Sequence, residues 1–255
     1  MELQYKIAIA SHKRLQMIRK KTLTYLFKHN IVPTWVYIFV SPESYLEYKI
    51  ALEPLGYNII RSKDTILKTR NHIIDYFDEG TAIMEIDDDL ADIQTTLKGQ
   101  KNEPIKDLDY LIRSSFEMLG TSGIWGINSN INSFFADGKD KFGLYSIVNS
   151  FLGYYNDKRI ILEVEEKEDW NRVCLAHQLR LPLLKRCGFG INTRYWKNPG
   201  GIQARYDFDR RVEVQAESAL KLMEKFPGYC YTRTRKSGII DLRFRRQKKK
   251  VSFNI

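Results

Sequence analysis

A short apolar run that ends in three consecutive carboxylates constrains this chain more than any other stretch. Glu79-Gly80 is a turn pair, Ala82 to Ile86 reads as a buried strand broken only by Glu85, and Asp87-Asp88-Asp89 follows at once. Such a strand lies inside a sheet and delivers its carboxylates to the sheet's edge. Three adjacent carboxylates repel one another and are not desolvated together unless a cation neutralises them. Hard oxygen donors at a strand end suit Mg²⁺ or Mn²⁺, and an ion there would carry a phosphate-bearing substrate. The competing explanation is a solvated, acidic helix start, because Asp is common at N-caps and Leu90-Ala91-Asp92-Ile93 can open a helix. The position at the end of a hydrophobic strand favours a site.

The segments on either side have the rhythm of an α/β fold. Tyr5 to Ala10 alternates as a strand and stops at Ser11-His12-Lys13-Arg14, a hydroxyl and three cationic or titratable side chains in a loop suited to an anion. Leu15 to His29 carries apolar residues at helical spacing, Trp35 to Val40 and Tyr57 to Ile60 read as strands, and Thr65 to Phe77 reads as a helix. Strands alternating with helices imply a mostly parallel sheet, whose ligands gather at the carboxyl ends of the strands. Further on, Ile105 to Leu119 is expected as a helix and Ile124 to Asn128 as a strand. Ser146 to Tyr155 and Lys158 to Val164 are expected as two strands joined at Asn156-Asp157. Trp170 to Leu181 is expected as a helix, Gly188 to Tyr195 as a strand, and Arg211 to Phe226 as the last helix. Between those two, Asn198-Pro199-Gly200-Gly201-Ile202-Gln203 is a turn that offers backbone N–H groups to a phosphate.

Charge and cysteine usage narrow the class. The 255-residue chain has a formal net charge of +10, and nine basic residues against one acid lie between Tyr229 and Lys250. Arg233, Arg235, Lys236, Arg243, Arg245 and Arg246 belong to that block, which attracts polyanions, nucleic acid or an anionic membrane face. The alternative is a disordered solubilising terminus. Residues 1–228 are expected as one domain and residues 229–255 as a basic C-terminal segment. Cys174, Cys187 and Cys230 lack metal-ligand spacing, and no apolar run approaches the roughly 18 residues of a membrane span. A soluble protein of a reducing cytoplasm is the expectation, the host cytoplasm if the chain is viral.

The order of the polar elements resembles the nucleotide-sugar glycosyltransferases of the GT-A fold. The resemblance spans roughly residues 5 to 200 and rests on the first-strand loop, on Lys68-Thr69-Arg70-Asn71, on Asp87-Asp88-Asp89 and on Glu168-Asp169. It implies a single-domain, Rossmann-like mixed sheet flanked by helices. It implies that Ser11, His12, Arg14, Lys68, Arg70 and Asn71, with Asp87 and Asp88, hold a nucleotide-sugar donor such as UDP-glucose. Asp87 and Asp89 would then coordinate Mn²⁺ or Mg²⁺, and Asp169 or Glu168 falls where inverting members carry the catalytic base. Read on their own, Glu168 and Asp169 are first of all acids that complement a helix N-terminus, and Arg70 is first of all a surface arginine.

The basic segment turns attention to the acceptor. An enzyme acting on a base in DNA must neutralise backbone phosphates, and Tyr229, Tyr231 and Phe244 add aromatic faces beside the cations. With the aspartates and the absence of a membrane segment, the chain is similar to the base J glucosyltransferase and TET-associated glycosyltransferase family, which includes viral and phage members. That likeness implies transfer from a UDP-sugar to a hydroxymethylpyrimidine in DNA, with inversion. Two other enzyme classes stay open. One is a GT-A enzyme decorating a viral or cell-surface glycan; the other is a Mg²⁺-dependent nuclease or nucleotidyltransferase, in which carboxylates hold metals against a phosphodiester. A non-enzymatic nucleic-acid-binding module leaves the strand-end aspartates unexplained. The sequence leaves the oligomeric state open.

Overall fold

The computed structural model describes residues 3–133, 136–192, 207–234 and 240–245. Four strands and the helices between them build the first half: β1 (Tyr5–Ser11), β2 (Val36–Val40), β3 (Asn58–Arg61) and β4 (Ala82–Ile86). These four run parallel in the order β3-β2-β1-β4. β8 (Phe151–Tyr155) lies antiparallel to β4, followed by β6 (Ile124–Asn128), β9 (Leu183–Asn192) and β5 (Asp92–Thr95), while β7 (Lys141–Phe142) also pairs with β9. Since β6 is antiparallel to β8 and parallel to β9, six of the nine strands share one direction. The expected mixed, mostly parallel α/β sheet is therefore present, within one domain.

Alternating side chains give the sheet two apolar faces. Ile7, Ile9, Met84 and Ile86 pack with α1 (Leu15–Ile18), α2 (Thr24–Lys28), α3 (Tyr45–Leu52) and α5 (Leu108–Leu119). Ala8, Ile83, Leu152 and Tyr154 pack on the other face with α4 (Ile66–Tyr76) and α6 (Glu168–Gln178). Burial on both sides explains why β4 reads as an apolar run broken only by Glu85. A third, smaller core joins α6 to α7 (Phe208–Lys225) and to a hairpin of β10 (Cys230–Thr234) and β11 (Ile240–Phe244), through Cys174, Leu222, Phe226, Cys230 and Leu242. The basic stretch that begins at Tyr229 thus starts as a packed hairpin, because its own apolar residues seal that core. All three cysteines are buried and free.

Several boundaries differ from expectation for local reasons. The helix expected over Leu15–His29 contains a five-residue π-helical turn, Arg19–Leu23, between α1 and α2. After the aspartates the chain forms β5, not a helix. Only Phe151–Tyr155 of the expected Ser146–Tyr155 strand is a strand, and β9 starts five residues before Gly188. Lys158–Val164 is no strand at all. Ile160, Leu162 and Val164 are buried as alternation predicts, but the Asn71 amide bonds both the N–H and C=O of Leu162 at 2.9 Å, and Asn171 accepts from the N–H of Glu163. Asparagine side chains satisfy this backbone in place of a strand ladder. The Asn198–Gln203 turn and Arg235, Lys236 and Arg246 lie outside the described residues.

Gly153 shows how tightly the sheet centre is packed. It sits in β8 between Met84 and Trp125, and a Cβ there would overlap the Trp125 indole. Gly153→Ala should therefore destabilise the fold by about 1–3 kcal/mol, the usual cost of overpacking, measured by denaturant unfolding. A cost below roughly 0.5 kcal/mol would mean that the indole moves aside freely.

Candidate active site

The strand order 3-2-1-4 opens a crevice at the carboxyl ends of β1 and β4, where α/β sheets bind ligands. Both strands end there in polar residues, and those residues meet. The Ser11 hydroxyl donates to Asp88 Oδ2 at 2.6 Å and lies 2.8 Å from the Tyr48 hydroxyl. Arg14 donates from Nη1 to Asp88 Oδ1 at 2.8 Å, lies 3.5 Å from Asp89, and gives its backbone N–H to Tyr48. The buried Thr22 hydroxyl, within the π-helical turn, donates to the Asp87 carbonyl at 2.8 Å and accepts from the Leu90 N–H at 3.0 Å. That clasp fixes the carboxylate turn, and a π-bulge at a functional site is a recurring arrangement.

The three aspartates consequently differ. Asp88 is turned inward and is 4 % exposed; burial pushes its carboxyl up to about 6, although Arg14 and Ser11 pull it down. The Asp87 and Asp89 side chains keep 35 % and 16 % of their surface. Asp87 Oδ1 accepts from Arg70 at 3.0 Å. Alternate members of the run therefore face the crevice, while the middle one ties it to β1.

Beneath them lies an ionic centre built around Glu85, the one acid of β4. Glu85 is fully buried and accepts from Arg70, from Arg172 at 2.7 Å and from the Tyr154 hydroxyl at 2.6 Å. The Arg172 guanidinium also stacks 4.4 Å above the Tyr154 ring. Burial alone would raise the Glu85 carboxyl, but Arg172 and then Arg70 outweigh it and hold it below its ordinary value. Arg70 reaches both Glu85 and Asp87 and feels the charge of Glu168, so it couples the strand end to the first turn of α6.

Glu168 and Asp169 open α6 after Lys167, which is in the left-handed region at φ 62°. Both are partly buried. Burial raises both carboxyls, and for Glu168 the adjacent Asp169 charge is the next contribution. Asn149 donates to Glu168 at 3.2 Å, and the backbone N–H of Asp87 donates to Ser150 beside it. The strand-end carboxylates and the α6 pair thus border one crevice, separated by Arg70.

The remaining expected residues stand further out. His12 Nδ1 lies 2.8 Å from the Ser41 hydroxyl, at the end of β2. Lys68 is exposed on α4 and pairs with Asp64 at 3.2 Å, one turn away. The side-chain amide of Asn71 is engaged by Leu162, so its contact is with the protein backbone. Tyr48, Thr22, Glu85, Tyr154, Asn149 and Arg172 are participants that sequence reasoning missed. Only Glu85 announced itself, as a charge inside an apolar strand that demands buried cations.

The donor set fits a hard divalent ion in a limited way. Among the described residues no group of three or more His, Cys, Asp or Glu side chains is placed so that it could hold a metal ion. Asp87 and Asp89 offer two carboxylates at the crevice, and Mg²⁺-type ions are commonly held by one or two carboxylates with substrate phosphates and water. Glu85, Asp87, Asp88, Asp89, Glu168 and Asp169 outnumber the guanidiniums of Arg14, Arg70 and Arg172, so added positive charge is welcome there.

Comparison with known proteins identifies the fold. The chain matches the mannosyltransferase PcManGT from Pyrobaculum calidifontis, solved with GDP-Man and Mn²⁺, over 88 % of its own length and 65 % of that chain, with a TM-score of 0.55 and 9 % identity. It matches S. aureus TarS 1–349 over 87 % of itself and 66 % of that chain, with a TM-score of 0.51 and 12 % identity, and the UDP complex with 0.52 and 11 %. Longer TarS is covered over 40 % of its length. The chain therefore spans less than two thirds of these proteins. Their fold is GT-A-like, and identities this low establish the fold alone. No protein-family profile matches the chain, and no curated protein matches it in sequence. Among the described residues no helix is long and apolar enough to cross a membrane.

Replacing Glu85 by Gln should destabilise the protein by about 3–5 kcal/mol, because Arg70 and Arg172 would stay buried without their anion. The carboxyl is held below its unfolded value of about 4.3, so its contribution is complete above that pH and is lost as pH falls through the folded value. Acid unfolding followed by circular dichroism should be steeper below about pH 4 for the wild type than for Glu85→Gln. Identical slopes would show that the pair carries no folding free energy.

Proposed function

We propose that the protein is a metal-dependent glycosyltransferase that moves a sugar from a nucleotide sugar, a UDP-sugar in the first instance, to a hydroxyl acceptor. One observation carries the reading: strand-end carboxylates and a raised-pKa carboxyl pair border the same crevice of a GT-A-like sheet, with Arg70 between them. Asp87 and Asp89 hold the divalent ion, Mn²⁺ or Mg²⁺, which when bound neutralises the leaving diphosphate. Arg14 and Arg70 fix these carboxylates, and Ser11, His12 and the exposed Lys68 border the donor's nucleotide side. Asn71 supports the site indirectly by holding the segment at Leu162.

Transfer requires a base for a weakly acidic hydroxyl. Glu168 or Asp169 takes the acceptor's proton as its oxygen bonds to the anomeric carbon; the bond from that carbon to the diphosphate oxygen breaks, and its electron pair leaves with the diphosphate. A single displacement of this kind inverts the anomeric centre. A carboxyl raised by burial is a stronger base once ionised, which suits this step.

For the acceptor we favour a hydroxymethylated pyrimidine of DNA, as in the base J and TET-associated glycosyltransferases of phages and viruses. The support is the outer face of the β10–β11 hairpin, where Tyr231, Arg233, Arg243 and Arg245 share one side and the Arg245 guanidinium stands 5.7 Å above the Tyr231 ring. Cations with an aromatic suit a nucleic-acid strand. Three buried free thiols fit a reducing cytoplasm. A glycan acceptor, or a nuclease acting through the same aspartates, is an outcome of the test below.

The test is transfer of labelled sugar from UDP-glucose to hydroxymethylated oligonucleotides in Mn²⁺. Asp89→Asn should lower kcat/KM at least about 100-fold, the scale of lost electrostatic stabilisation, while DNA binding persists. Backbone cleavage without sugar transfer would move the chain to the nucleases. A second expectation concerns pH: the base must be ionised, so kcat/KM rises with pH, and its acid limb should lie above the ordinary carboxylate value near 4. An acid limb at that ordinary value would exclude Glu168 and Asp169 as the base.

A further inference from the structure

A second concave site lies on the same sheet edge. Its volume is about 490 Å³, and its walls include Asn128 at the end of β6, Lys141 of β7, Tyr145, Lys185 and Cys187 of β9, and Arg243 of the hairpin. No carboxylate lines it among the described residues. The half-buried Lys141 reaches Asp137 at 3.3 Å, and the exposed Arg243 reaches Asp241 at 3.4 Å. Lys185 differs. It is partly buried, burial lowers its ammonium, and the charges that act on it are the Cys187 thiol and the Lys141 cation, with no carboxylate paired to it among the described residues.

Strand register places this cavity relative to the crevice. Gly126 of β6 and Glu85 of β4 both stand opposite Leu152 of β8, so Asn128 is level with Asp87, two strand spacings or about 10 Å away. A Cβ on Gly126 would touch Ile147 of the second core, and Lys185 is in register with Gly126. Lys185 is therefore on the face that carries α6 and the Glu168-Asp169 pair. A partly buried ammonium in a cavity lined also by amide, phenol and guanidinium groups is poised for an anion that brings its own hydrogen-bond acceptors.

We propose that this cavity is a subsite for one phosphate of the acceptor's backbone, with Lys185, Lys141 and Arg243 in its lining. The proposal rests on the DNA-acceptor reading above. A phosphate seated at Lys185, on β9 and so three strand spacings or about 14 Å from β4, fixes the register of the strand while a nearby nucleotide reaches the carboxylate base in the crevice. The cation that matters most is the partly buried Lys185, because an ion pair formed there is screened less by salt than one at the surface.

The experiment is binding of a fluorescent single-stranded oligonucleotide across a salt series, by the full chain, its K185Q variant and its K185R variant. K185Q should weaken binding several-fold at moderate salt and flatten the slope of log K against log salt by about 0.7, one phosphate contact on a single strand. K185R should keep most of both. Thermal shift with UDP and Mn²⁺ is recorded on the same preparations, and K185Q should retain the wild-type shift, showing that the fold and the donor site are intact. K185Q with wild-type affinity and slope, or a wild type that does not bind the oligonucleotide, overturns the subsite. A wild type that binds DNA through Lys185 yet shows no nucleotide shift overturns the donor reading and upholds the phosphate site.

Discussion

Glu85 is the interaction on which the rest depends. A carboxylate in the middle of a sheet is tolerable only if cations reach it from elsewhere, and here they come from two different helices, Arg70 from α4 and Arg172 from α6. Both helices lie on one face of the sheet. Their relative position is therefore set by a directional ionic contact in addition to packing, and Tyr154 of β8 adds a third direction. Arg70 then has a second use, because its other nitrogen holds Asp87. A structural ion pair and the orientation of a candidate metal ligand are one device.

The crevice above it divides its labour among similar residues. Asp88 is spent on tying β4 to the β1 loop through Ser11 and Arg14, which leaves Asp87 and Asp89 toward the opening. Thr22 locks the backbone of the same turn. On the other side, Lys167 in the left-handed region leads into two acids that start α6, where the helix dipole favours negative charge, and burial nevertheless raises both. Acid clustering of this kind is costly without compensation, which is why a divalent ion and a carboxyl pair raised by burial make a coherent account.

Much of this was legible in the chain. Apolar runs of strand length separated by helical periodicity gave the parallel half of the sheet, and the abrupt change from Ile86 to three aspartates located the crevice. What was not legible depends on distance along the chain. Arg172 lies 87 residues from Glu85, and nothing in its neighbourhood distinguishes it from a surface arginine. Lys158–Val164 alternates like a strand, yet Asn71, 91 residues before Leu162, takes over its hydrogen bonds. The same contact explains why Asn71, expected at the donor, faces the protein. The basic stretch is different: its cations are plain in the sequence, but the apolar Cys230, Leu242 and Phe244 that fold its beginning against α6 and α7 are diluted among them.

The central claim is that a nucleotide donor binds through a metal held at the end of β4. Thermal unfolding of the purified chain against a panel of nucleotides and nucleotide sugars, with and without Mn²⁺, tests it most directly, because a ligand specific for the native state raises the melting temperature by mass action. The account predicts a shift with UDP or a UDP-sugar that requires the metal. A shift that ignores the metal, or none with any nucleotide, would contradict it.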